Sequence, residues 1–110
     1  MGLLDINLQI DSDLKALRSP RVQEIGEVIE EIITNSVRHG KAKKMQLRLM
    51  RSGHTDLTII SIDNATVPPP ETSQRSGLGT RIFNLASDGR WAISRKGSST
   101  QFRLTMGIEK

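Results

Sequence analysis

The sequence predicts an α+β domain, a two-layer α/β sandwich in which helices cover one face of a mixed, mostly antiparallel sheet. Three observations carry that prediction. Apolar residues alternate with polar ones in several short stretches, and they recur at spacings of three and four in others. The stretches follow one another in the order β-α-β-β-loop-α-β-β. At 110 residues the chain has the length of one ordinary domain, and we expect residues 1–110 to form a single one.

Each element has its own reason. Ile6, Leu8 and Ile10 alternate with Asn7 and Gln9, which predicts a strand over about residues 4–10 with one buried face. Ser19 and Pro20 then read as an N-cap followed by proline in the first helical position, where its missing N–H costs nothing. From there Val22, Ile25, Ile29, Ile32, Ile33 and Val37 form one apolar stripe. Gly40 and Lys41, Lys43 and Lys44 supply a C-terminal stop and favourable dipole charges. Met45, Leu47 and Leu49 alternate again, RSGHTD turns the chain, and LTIISID suits a more buried, central strand, so the two form an antiparallel hairpin. Residues 64–77, NATVPPPETSQRSG, carry three consecutive prolines and small polar residues and read as a lid-like loop. Helical spacing returns in LGTRIFNLAS and ends at Asp88-Gly89. Trp91 and Ile93, then Phe102, Leu104 and Met106, mark two last strands joined by the turn KGSST.

Composition excludes several function classes. No apolar run approaches the roughly eighteen residues of a membrane-spanning helix, and the start MGLLDINLQIDSD meets acidic residues too soon for a secretory signal. A soluble, cytoplasmic domain is expected, either on its own or as the cytosolic part of a membrane-bound sensor. The absence of cysteine removes disulfides and thiolate metal sites, and His39 and His54 alone give no metal-ligand spacing. A net charge of +4 favours an anionic partner. Phe83, Trp91 and Phe102 are the only aromatic residues, too few for the stacking platforms that bind single-stranded nucleic acid, so phosphate on a small molecule is the better expectation.

Asn35 is a poor helix former within the first helix, with Glu31 four residues before it and Arg38 three after. On a helical projection the three form one polar stripe, with Asn35 about 60° from Ile32 at the edge of the apolar face. This is either a solvated face with an i, i+4 pairing of Glu31 and Asn35, or a carboxamide kept at the boundary of core and solvent for a ligand. Asp63 ends a strand beside the proline-rich loop, where it either starts a turn or offers an acceptor to the amine of a base. Gly77 and Gly79 bracket the start of the second helix, either as hinges or as openings through which backbone N–H groups reach an anion.

Taken together, Glu31-x-x-x-Asn35-x-x-Arg38-His39, Asp63 at a strand end and Gly77-Leu78-Gly79 opening a helix resemble the N box and the two glycine boxes of the ATP-binding domain of sensor histidine kinases. That domain has the Bergerat fold, shared with gyrase and with anti-sigma-factor kinases. The resemblance runs from the strand at Ile6 to the strand near Met106, and EEIITNSVRHGKAKKMQLRL is most similar to the subgroup that includes nitrate sensors. It implies ATP and Mg2+ as ligands. By position, Asn35 matches the residue that coordinates magnesium, Glu31 the acidic N-box residue that orients water or acts as a base, and Arg38 a phosphate contact, with His39 lining the same region. Asp63 matches the carboxylate that reads the adenine amine. Gly77, Leu78, Gly79 and Thr80 match the turn that holds the lid and the phosphates, and Thr100 a hydroxyl residue near the base.

The sequence departs from the family pattern in two places. The first glycine box reads Asp63-Asn64-Ala65-Thr66-Val67, with Ala65 and Val67 where glycines are usual, and the usual Gly-Gly-Thr near the end reads Ser98-Ser99-Thr100. The function implied is that of a protein histidine kinase catalytic domain, which moves the ATP γ-phosphoryl group to a histidine on a separate dimerisation domain and so serves a downstream response regulator. No long heptad helix with an acceptor histidine precedes residue 20, so the chain is expected to be either the catalytic end of a sensor kinase or a small free-standing relative. Two alternatives share the fold: a free-standing anti-sigma-type serine kinase, and a degenerate interaction domain without catalysis.

Overall fold

Aliphatic residues at every second position build the sheet, and those at every third and fourth build the helices that cover it. The structure, a computed structural model, describes residues 5–11, 21–53, 55–66 and 78–108. The elements are β1 (Asp5–Ile10), α1 (Val22–Thr34), a π-helical turn (Asn35–His39), β2 (Lys44–Ser52), β3 (Asp56–Asp63), α2 (Leu78–Ser87), β4 (Trp91–Lys96) and β5 (Ser99–Gly107). The strands lie in one sheet in the order β1-β2-β3-β5-β4. β1 runs parallel to β2 and every other neighbouring pair is antiparallel, so the sheet is mixed and mostly antiparallel, with the LTIISID strand at its centre as its composition predicts.

Register decides which residues meet. Leu57 faces Met106, Ile59 faces Leu104 and Ser61 faces Phe102, while Leu47 and Leu49 stand opposite Ser61 and Ile59 on the other side of β3. All of these point to the side on which Ile25, Val28 and Ile32 of α1 and Phe83 and Ala86 of α2 complete the core. Ile59, Leu104 and Met106 have no measurable exposure. Full burial of such a side chain stabilises by roughly 1.5–3 kcal/mol. The opposite face carries Gln46, Arg48, Gln101 and Arg103 and a Thr58–Thr105 hydroxyl pair at 3.1 Å, which makes this a two-layer sandwich with one wet face.

The three aromatic rings share one place. Phe83 lies 4.7 Å from Phe102 and 5.1 Å from Trp91, and the Trp91 indole N–H donates to Asn84 Oδ1 at 2.7 Å. The cluster pins α2 to β4 and β5 and leaves none of the rings as a separate stacking platform.

Two expectations change. The alternation in β1 predicts a buried face, but all six residues are exposed, Leu8 by 53%. The register places Ile6, Leu8 and Ile10 on the helix side beside Met45, Leu47 and Leu49, yet β1 is an edge strand that the described helices do not cover. Val37, placed by spacing in the apolar stripe of α1, is also exposed, because the backbone leaves α geometry at Asn35 and the 3.6-residue phase is lost there. The cap and proline assigned at Ser19 and Pro20, the turn residue His54, and the lid loop from residue 67 to 77 lie outside the described residues.

The start of α1 is held by Arg21. Its guanidinium pairs with Glu24 at 2.8–2.9 Å and donates at 2.7 Å to the carbonyls of Gly107 and Ala86. One side chain thereby ties α1 to the ends of β5 and α2. The Glu24 hydrogen bond raises the Arg21 pKa, and the same bond lowers the Glu24 carboxyl below its ordinary value of 4.5.

Candidate functional site

The far end of α1 is irregular, and the irregularity begins at Asn35. Its N–H is shared between the carbonyls of Glu31 and Ile32, and its own carbonyl accepts from Gly40 N–H at 3.0 Å, a bond spanning five residues. Single π turns of this kind insert an extra residue and re-aim the side chains around it. Here Ser36 turns into the core with 8% exposure, while Asn35 stays half-buried and Arg38 faces solvent. Ala42 N–H then closes the end on the Ser36 carbonyl at 2.8 Å, with Lys41 in the left-handed region at φ 59°.

Gly40 has a different reason from the one its sequence position suggests. Its φ is −90°, so it is not the left-handed cap residue. A Cβ there would meet the Ala65 Cβ at 2.8 Å and the Ser36 carbonyl oxygen at 3.0 Å. Gly40 is small because the segment after β3 presses against the helix end. Ala65, where the motif it resembles has a glycine, is 3% exposed, and its methyl group fills the space that Gly40 leaves open.

That segment is tied down at each residue. Asp63, the last residue of β3, is 6% exposed; it accepts the Ser36 hydroxyl on Oδ2 at 2.6 Å and the Ala65 N–H on Oδ1 at 2.9 Å. Asn64 Oδ1 receives the N–H groups of both Lys43 and Lys44 at 2.9 Å. Thr66 N–H donates to the Gly40 carbonyl at 2.8 Å, and Arg95 Nη1 donates to the Ala65 carbonyl at 2.6 Å. Since an ionised carboxylate offers about four acceptor positions, two of those on Asp63 are left for another donor.

The sheet adds Thr100, 5% exposed, directly opposite Asp63 on β5. The structure therefore brings Asn35, Asp63 and Thr100 to one corner, joined by Ser36. Glu31 is half-buried one turn before Asn35, and no described residue bonds the Asn35 carboxamide, which argues against the Glu31–Asn35 pairing. Arg38, Lys41, Lys43 and Lys44 are exposed around the same helix end and make the corner basic. His39 ends the π turn, Leu78, Gly79 and Thr80 form the first turn of α2, and Gly77 lies outside the described residues. α2 packs against α1, which brings the two helices that carry the motifs together.

Ser36 escaped the sequence reading although a signal existed: it stands four residues after Ile32, in the middle of the apolar stripe, where a hydroxyl needs a partner. Arg95 gave a similar signal, a charge in line with Trp91 and Ile93 on the inward face of β4.

With this geometry in view, comparison with solved structures places the fold. The chain superposes on the histidine kinase domain of a blue-light activated histidine kinase from Erythrobacter litoralis with a TM-score of 0.76 and 21% identity, over 98% of this chain and 53% of that one. It matches the Acinetobacter baumannii histidine kinase AdeS at a TM-score of 0.69 and 19% identity, over 97% of this chain and 55% of that one. For the ATP binding domain of PrrB from Mycobacterium tuberculosis the values are 0.65 and 20%, over 97% and 82%. No family model and no curated protein matches the sequence. The chain thus has the fold of histidine kinase ATP-binding domains, and it spans about half the length of the first of these structures. Among the described residues no helix is long and apolar enough to cross a membrane.

Proposed function

We propose that the chain is the ATP-binding catalytic domain of a sensor histidine kinase, of the nitrate-sensor-like subgroup, forming one cytoplasmic domain over residues 1–110. The observation that carries this reading is the buried Asp63 carboxylate, oriented by Ser36 and Ala65 and with acceptor capacity to spare. Such a group suits an exocyclic amine, because a buried acceptor discriminates strongly against a ligand that lacks the donor.

The remaining assignments follow from place and chemistry. Asp63 accepts from the adenine amine, with Thr100 beside the base. Arg38, His39 and the N-terminal turn of α2, with Gly77, Leu78, Gly79 and Thr80, receive the phosphates, the helix N–H groups being suited to anions. Among the described residues no group of three His, Cys, Asp or Glu side chains could cage a metal ion. The donor set nevertheless fits magnesium, which is ordinarily held by one or two protein oxygens, substrate phosphates and water. The Asn35 carboxamide, unbonded by any described residue, would be that protein ligand. When bound, the ion supplies charge neutralisation at the phosphates. Glu31 orients water or takes a proton near the γ-phosphate. The γ-phosphorus–oxygen bond to the β-phosphate breaks as a bond forms to the ring nitrogen of a histidine on a separate dimerisation domain, and ADP leaves. From there the phosphoryl group passes to a response regulator. The protein's part is mostly positioning and charge.

The packing of Ala65 against Gly40 favours this reading over a degenerate interaction domain, since the replaced glycine is accommodated without opening the corner. Calorimetric titration with ATP at saturating magnesium tests it, using wild type, Asn35→Ala and Asp63→Ala. Binding by wild type that is lost in both folded variants supports the site. No heat and no thermal shift with any adenine nucleotide would leave the interaction domain as the better reading.

A further inference from the structure

Arg95 stands where the strand pattern of β4 asks for an apolar side chain. Its inward neighbours on that strand are Trp91 and Ile93, and its partner across the ladder is Thr100, which in turn faces Asp63. The guanidinium is used locally. Nη1 donates to the Ala65 carbonyl at 2.6 Å and to Thr100 Oγ1 at 3.0 Å, and Nε donates to the Gly97 carbonyl at 3.3 Å.

These contacts close a circuit around Asp63. The Ala65 N–H is held by the Asp63 carboxylate and the Ala65 carbonyl by Arg95, so one residue of the turn is fixed at both of its backbone polar groups. The Ala65–Thr66 peptide is held from its other side too, where the Thr66 N–H donates to the Gly40 carbonyl. The edge strand β4 thereby reaches over β5 to grip the segment that follows β3. A charge-assisted bond of this length is stronger than a neutral one, and the planar fork loses less freedom in forming it than a flexible ammonium would.

We infer that Arg95 is a positioning residue for base recognition: acting through Ala65 and Thr100, it fixes the turn that aims the Asp63 carboxylate at the exocyclic amine of adenine. The inference rests on the nucleotide reading given above and adds a residue outside the motifs that suggested it. Arg95 does not touch the base in this account. Its loss frees the carbonyl of the Ala65–Thr66 peptide, and the turn loosens at Ala65, whose N–H is one of the two donors that hold Asp63 in place.

The test compares wild type, Arg95→Ala and Arg95→Lys in two measurements. In calorimetric titrations with magnesium, ATP is set against inosine triphosphate, which lacks the exocyclic amine. Without nucleotide, amide hydrogen exchange is followed at Ala65 and Thr66. Arg95→Ala is expected to weaken ATP about tenfold and inosine triphosphate much less, so that the preference between them shrinks. Arg95→Lys, with one charged donor and no fork, should fall between, and exchange at Ala65 should quicken in the same order. A structural role alone would not move the base preference. Equal weakening of both nucleotides, or unchanged affinity and unchanged exchange, would overturn the role given to Arg95 while leaving the nucleotide reading intact. A wild type that binds neither nucleotide would instead overturn both.

Discussion

The two ends of α1 are both tied by polar groups, yet the ties differ in kind. At the start, Arg21 spends its guanidinium on Glu24, the Gly107 carbonyl and the Ala86 carbonyl, and the knot joins three elements of the fold. At the finish, the knot of Ser36, Asp63, Ala65 and Gly40 leaves an acceptor partly unused and a carboxamide that no described residue bonds. A closed polar set stabilises, whereas one with acceptor capacity left over has room for a further donor. The helix itself changes accordingly, from regular α geometry at Val22 to a π turn at Asn35.

That contrast can be broken by exchanging the expected consequences. The largest effect is expected from Asp63→Asn, which keeps the size of the side chain and an oxygen for the Ala65 N–H but turns an amide toward the Ser36 hydroxyl and the amine of adenine. ATP affinity should fall about 100-fold, or about 2.7 kcal/mol, in calorimetry, with a smaller loss of stability of about 1 kcal/mol from the bond that Ser36 no longer donates. Gly40→Ala should come next, because its Cβ would lie 2.8 Å from the Ala65 Cβ. A loss of about 2 kcal/mol in denaturant unfolding is expected, of which Ala65→Gly in the same chain should restore part, the contact with the Ser36 carbonyl remaining.

At the other end, Arg21→Met keeps the aliphatic stem and removes the charged donors. Stability should fall by about 1.5 kcal/mol while the affinity for ATP stays as in wild type. The smallest effect is that of acid. The Glu24 carboxyl is lowered from 4.5 chiefly by its hydrogen bond from Arg21, so the folded protein holds that proton less tightly than the unfolded chain. Its contribution is therefore complete above the unfolded value and fades as pH falls below 4.5 through the folded value. The pair is partly exposed, with side-chain exposures of 23% and 42%, and solvent screening keeps the effect to a few tenths of a kcal/mol. The difference in melting temperature between wild type and Arg21→Met should be constant near neutral pH and narrow slightly in acid.

Much of the fold was legible because it rests on local periodicity. The alternation of Met45, Leu47 and Leu49 and the run LTIISID gave two paired strands, and the spacing of Ile25, Ile29 and Ile32 gave α1. What depends on neighbours was not legible. The same alternation in Ile6, Leu8 and Ile10 could not reveal that β1 would lie at the sheet edge. A projection with a period of 3.6 could not reveal the π turn, and so misplaced Val37. Of the candidate residues, Asn35 and Asp63 drew notice by their chemistry and Thr100 only through the family resemblance, and Asp63 and Thr100 stand opposite each other across the sheet. The reason for Gly40 was hidden, since a close approach to Ala65 joins residues distant in the chain and leaves no local mark.

A nucleotide is expected to bind at the π-turn end of α1 and not at the Arg21 end. Amide chemical-shift mapping on the labelled chain, titrated with ATP and magnesium, tests it most directly. Large shifts are expected at Asn35, Ser36, Asp63, Ala65 and Thr66, and none at Arg21, Glu24 or Gly107. Shifts centred on Arg21, or no shifts at the Asp63 corner at saturating nucleotide, would contradict it.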